Sequence, residues 1–81
     1  DITRPIHEGI PVWPGDAAFS FALNWSIAEG QSVNVGAVTM SLHTGTHADA
    51  PYHFNNDAPT IGQLDLTAFI GPCVVVDVRG A

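Results

Sequence analysis

Lysine is missing altogether from the 81 residues, and Arg4 and Arg79 are the only basic side chains besides four histidines. Eight acidic residues oppose them, for a formal net charge of −6. Nucleic acids and anionic lipids are held through phosphates that attract Lys and Arg, so neither is an expected partner. Cysteine is almost absent too. With Cys73 alone no internal disulfide can form, and a cytoplasmic setting is the default expectation. Long apolar runs are also lacking. The longest, Cys73-Val74-Val75-Val76, is far short of the ~20 apolar residues of a membrane span. No basic segment followed by an apolar one opens the chain, so no signal peptide is predicted.

Apolar residues are well supplied, at 46% of the chain, which suits a globular core and argues against disorder. The length allows one domain at most. A domain near this size hides only about 60% of its extended-chain surface. The chain opens at Asp1 without Met and stops just after an apolar run that reads as a strand. We therefore expect residues 1–81 to be a single partial domain of a longer protein.

Pro11, Pro14 and the Gly15-Asp16 pair predict a rigid extended turn around Trp13. Phe19, Phe21, Leu23, Trp25 and Ile27 then alternate with small or polar residues, the period-two pattern of a strand with one buried face. Trp25 falls on that face and is expected in the core. Glu29 to Ser32 is a turn. Val33 and Val35 begin a second strand, and after Gly36 the apolar parity changes to Val38, Met40 and Leu42. This phase change predicts a bulge at the glycine, within an antiparallel hairpin. Further on, residues 64–69 suit a short helix presenting Ile61, Leu64 and Ala68 on one face, stopped by Gly71-Pro72. Cys73 to Val78 reads as a buried strand, with Cys73 as packing. The order predicts a mixed α and β fold.

Three of the four histidines and one aspartate fall within His43-Thr44-Gly45-Thr46-His47-Ala48-Asp49-Ala50-Pro51-Tyr52-His53. A helix would set His43 and His47 on one face, but Asp49 would lie well round it. Thr44, Gly45 and Thr46 are weak helix formers, and Pro51 restricts what precedes it. Extended backbone gives His43, His47, Asp49 and His53 the same parity. A straight strand, however, puts residues four apart about 13 Å from each other. Two imidazoles sharing a zinc must each place a nitrogen about 2.0–2.1 Å from it. The chain must therefore bend, and Gly45 is the residue that permits it. His43, His47 and Asp49 make a donor set suited to Zn²⁺, with manganese, iron and cobalt as alternatives. Three protein ligands leave a position open, as in catalytic sites. The second oxygen of Asp49 could bridge to another ion. His53 is either a fourth ligand or a general acid and base. His7 has no local partner and is assigned nothing.

This stretch matches HxGTHxDxPxH, and the chain thereby resembles the cyclase-like metal-dependent hydrolase family. Pro11-Val12-Trp13-Pro14-Gly15-Asp16, Val33-Asn34-Val35-Gly36 and Gly71-Pro72-Cys73 resemble its formamidase branch at similar spacing. The resemblance implies that His43, His47 and Asp49 bind a first metal, with Asp49 bridging to a second. It further implies that His53 is the catalytic proton donor or acceptor and that Trp13 contacts the substrate's aromatic ring. The implied fold is α/β, a swivelling β/β/α-type domain with a barrel-like mixed sheet, of which residues 1–81 would be the N-terminal portion. The implied cofactor is Zn²⁺, two per active site, with Mn²⁺ as an alternative. The implied reaction is hydrolysis of N-formyl-L-kynurenine to L-kynurenine and formate, in tryptophan degradation, by a homodimer or higher homo-oligomer. The family's second metal takes a further His and Glu from well downstream, for which this sequence has no matching positions. These residues by themselves are therefore expected to bind one metal weakly and to show little activity. A family hydrolase acting on a cyclic amide such as isatin, and a non-catalytic metal-binding module, are the rival readings.

Overall fold

Two segments pair as predicted. In the computed structural model, which describes all residues 1–81, strand β1 (Ser20–Trp25) lies antiparallel to β2 (Val35–Thr39). The chain divides into two compact units, Asp1–Ala48 and Asp49–Ala81. The hairpin belongs to the first.

The register of the hairpin follows its apolar residues. Phe21 pairs with Val38 and Trp25 with Val35, while Leu23 faces Gly36. The step from Leu23 to Trp25 on β1 matches a single step from Gly36 to Val35 on β2, so the bulged residue is Asn24. The phase change was expected at Gly36 itself. An extra residue on either strand restores the same alignment of apolar partners, and β1 is the strand that takes it. Gly36 serves a different purpose: a Cβ there would lie 2.3 Å from Cε2 of Phe21, whose ring crosses the glycine. Between the strands, Ile27–Glu29 forms one 3-10 turn ended by Gly30. The Ile27 N–H donates to Asn34 Oδ1 at 2.8 Å, tying this turn to the foot of β2. The predicted turn around Trp13 is present, closed by the Asp16 N–H donating to the Trp13 carbonyl at 2.9 Å.

The second unit holds three 3-10 turns, Pro51–His53, Ile61–Gln63 and Leu66–Ala68. Leu66–Ala68 is the only helical turn within 64–69, where one short helix was expected, and Ile61–Gln63 is a separate turn before it. Leu64 and Asp65 adopt extended angles and break the run. Side chains explain the break. Gln63 Oε1 accepts the Thr60 N–H, and Asp65 Oδ1 accepts the Thr67 N–H, so each turn carries its own local cap.

Three further expectations are corrected. Residues 73–78 form no strand. Val74, Val75, Val76 and Val78 are all largely exposed, because a strand needs a hydrogen-bonding neighbour and none pairs with them here. Cys73 is exposed rather than packed. Trp25 is 55% exposed rather than in a core. No apolar side chain in either unit is buried. The mixed α and β expectation reduces to a two-stranded sheet with 3-10 turns, and no α-helix forms. No helix is long and apolar enough to cross a membrane.

Candidate metal centre

Polar residues are the ones this chain buries. Ser41 and Thr44 are only 8% and 3% exposed, and both lie in the tight loop that follows β2. The Thr44 hydroxyl donates to the Ser41 carbonyl at 2.7 Å, and the Thr44 N–H donates to the same oxygen at 3.2 Å. The His43 N–H donates to Ser41 Oγ at 3.0 Å. The Ser41 hydroxyl in turn donates to Asp16 Oδ2. Gly45 carries the bend at φ +65°, a conformation that L side chains adopt rarely. A Cβ there would also meet Cγ1 of Ile6 at 3.4 Å. On the other side of the glycine, Thr46 Oγ1 accepts the Arg4 N–H at 3.0 Å.

The bend has the consequence the spacing demanded. Nδ1 of His43 lies 3.2 Å from Nε2 of His47, with the rings edge-on at 62°. Two nitrogens each about 2.0–2.1 Å from one tetrahedral zinc stand about 3.3–3.4 Å apart. The observed 3.2 Å lies just below that span and is also the length of an N–H···N hydrogen bond between the two rings. The tautomer fits a shared ion. His47 Nδ1 donates to the Gly45 carbonyl at 2.8 Å, which leaves the Nε2 lone pair directed at His43. Locking one imidazole nitrogen through its hydrogen bond is how proteins present the other to a metal.

Asp49 and His53 lie in the second unit, where a carboxylate oxygen of Asp49 and a ring nitrogen of His53 come within 4.8 Å of each other. Pro51 opens the 3-10 turn that ends at His53, and the His53 N–H donates to the Ala50 carbonyl at 2.9 Å. Tyr52 is anchored separately, its N–H donating to the Pro59 carbonyl at 3.1 Å. The His53 ring meets Phe54 edge-on, with centroids 4.5 Å apart. Ala48 alone separates His47 from Asp49 along the chain. Imidazole and carboxylate donors suited to a divalent cation are thus present in both units.

An open cleft of about 510 Å³ in the first unit is lined by Arg4, His7, Ile10, His43, Gly45 and Thr46, among others. Arg4, one of the chain's two arginines, and His43 share this lining. Arg79, the other, is held by Asp77 at 2.6 Å. Trp13 is 79% exposed on its turn. Sequence reasoning gave no part to Arg4, Ser41 or Thr44 and saw Asp16 only as a turn residue. Asp16 and Ser41 are 25 positions apart, and no local pattern joins them. The Ser41 hydroxyl above all, with the Ala17 N–H, holds the Asp16 carboxyl below the usual carboxylate range. Partial desolvation opposes this, and the charge of His43 assists it.

The whole chain, residues 1–81, matches the model of the Cyclase family, described as "Putative cyclase". The kynurenine formamidase of Bacillus cereus (strain ATCC 14579) is 50% identical over 78 residues, covering 96% of this chain and 37% of that protein. That of Geobacillus thermodenitrificans is 54% identical over 76 residues, or 94% and 36% of the two chains. That of Erythrobacter litoralis is 48% identical over 80 residues, or 99% and 37%. The chain therefore spans a little over a third of the length of the curated relatives it matches.

Proposed function

Since the chain belongs to the Cyclase family, we propose that residues 1–81 supply the first metal ligands and the proton-transfer residue of a metal-dependent kynurenine formamidase. The observation that carries this reading is the His43–His47 nitrogen pair at 3.2 Å, with its tautomer set by Gly45. About 50% identity to proteins named kynurenine formamidase supports the choice of substrate. His43, His47 and Asp49 would hold Zn²⁺, with Mn²⁺ as the alternative occupant, and Asp49 would be shared with a second ion. The bound cation supplies Lewis acidity, which polarises a carbonyl and makes water acidic enough to act as a nucleophile near neutral pH.

This chain's residues then orient and protonate. Water adds to the formyl carbon of N-formyl-L-kynurenine, and the bond to the aryl nitrogen breaks. An anilide anion is a poor leaving group, so His53 gives that nitrogen a proton as it departs. Formate and L-kynurenine are the products. Arg4, lining the cleft beside His43, is the cation available there to the substrate's carboxylate. Trp13, exposed on its rigid turn, offers an indole face to the substrate ring. The reading includes a swivelling β/β/α-type domain with a barrel-like sheet, in a cytoplasmic homo-oligomer.

The test is hydrolysis of N-formyl-L-kynurenine by the full-length protein, run beside isatin and with metal content measured on the same samples. The expected result is turnover of the formamide, loss of turnover on chelation and its return with Zn²⁺. His53→Ala should lower kcat by about 10²–10⁴-fold with metal content unchanged. Preference for isatin would overturn the substrate. Loss of metal from the His53 variant would make His53 a ligand instead.

A further inference from the structure

We infer that Asp16 and Ser41 are positioning residues for the metal-ligand pair, joining the Trp13 turn to the backbone of His43 through one oriented hydroxyl. This rests on the reading of His43 and His47 as ligands. A serine hydroxyl has a single proton and a free rotor. Here Asp16 Oδ2 takes the proton, so an Oγ lone pair is left facing the His43 N–H, which it accepts at 3.0 Å. The Ser41 carbonyl takes both the hydroxyl and the N–H of Thr44. The peptide units on either side of the His43 side chain are thus held by one buried serine. Asp16 is itself held at the other end, its N–H donating to the Trp13 carbonyl at 2.9 Å and its Oδ1 accepting the Ala17 N–H at 2.7 Å.

This is an unusual place to spend burial. In a chain with no buried apolar side chain, the buried residues are Ser26, Ser41 and Thr44, and two of the three brace His43. Ligand pairs need geometry accurate to about 0.5 Å, which exposed loops do not give unless supported. Within residues 1–81 the Asp16–Ser41–His43 chain of hydrogen bonds supplies that support. The same chain couples the ligand loop to the turn that presents Trp13.

Cobalt titration of the full-length protein tests the inference, because the visible bands of Co²⁺ report both affinity and coordination geometry. Ser41→Ala and Asp16→Ala should each weaken Co²⁺ binding by about 10- to 100-fold and alter the band shape. Ser41→Thr, which keeps the hydroxyl, should restore both. Ser26→Ala removes an equally buried serine at the end of β1 and should leave both unchanged, with circular dichroism confirming that all variants fold. Wild-type affinity and spectrum in Ser41→Ala would overturn the inference, as would an equal loss in Ser26→Ala. No Co²⁺ binding by the wild type would instead remove the ligand assignment itself, and the inference with it.

Discussion

At the scale of single residues, the histidine loop turns on one backbone angle and one carboxylate. Gly45 bends the chain at φ +65°, where an L side chain costs about 1–2 kcal/mol, and offers its carbonyl to His47. Asp16 has a pH signature. Its carboxyl is held below the ordinary value of 3.8, first by the Ser41 hydroxyl and then by the Ala17 N–H. A depressed folded-state value means that the ionised form is the one stabilised by folding. That contribution is fully present above pH 3.8 and is lost as pH falls through the lower folded value. The carboxyl carbon of Asp16, followed by NMR, should therefore titrate with a midpoint below 3.8, and Ser41→Ala should move the midpoint up. An unmoved midpoint would mean that the serine does not hold the carboxylate. The residue types and spacing of the His43 to His53 motif were legible in the sequence, including the need for a bend at Gly45. The second contact layer was not, because Asp16 and Ser41 meet only once the chain folds back over 25 residues.

At the scale of elements, the hairpin is built from short-range rules and is correspondingly readable. Period-two alternation from Phe19 to Ile27 predicts a strand, and Ser20–Trp25 forms one. The bulge was misplaced because parity along two strands reports only their relative phase, which an insertion on either side satisfies. The turn joining the strands is held from outside by Asn34. Asn34→Ala should remove the bond to the Ile27 N–H and destabilise the turn by about 1 kcal/mol. Amide hydrogen exchange is the suitable readout: the Ile27 amide should exchange faster while the β1 amides keep their protection. The helix expected over 64–69 shrank to the single 3-10 turn Leu66–Ala68 because Asp65 caps Thr67 rather than continuing a helical run.

At the scale of the whole molecule, exposed apolar surface dominates. The 81 residues leave 7221 Å² accessible. A folded monomer of 8.5 kDa exposes about 4,700 Å² by the usual scaling. Phe21, Leu23 and Trp25 on β1 are each more than half exposed, and Val74 to Val76 are more exposed still. Apolar burial is the dominant favourable term in folding, and little of it is realised within these residues. Residues 1–81 by themselves should bind the dye ANS strongly and lose their circular dichroism signal gradually on heating. A sharp cooperative transition without dye binding would show that the hydrogen-bonded loops suffice as a core.

The sequence by itself determined which imidazole and carboxylate residues lie close together along the chain, the need for a kink at Gly45 and the pairing of two alternating segments. These depend on residue type and on contacts between near neighbours, which spacing encodes directly. Tertiary structure decided that His43 and His47 meet at 3.2 Å, that Asn24 takes the bulge and that Asp16 orients Ser41. Each of these depends on which distant segment arrives alongside, and periodicity along a chain carries no information about that.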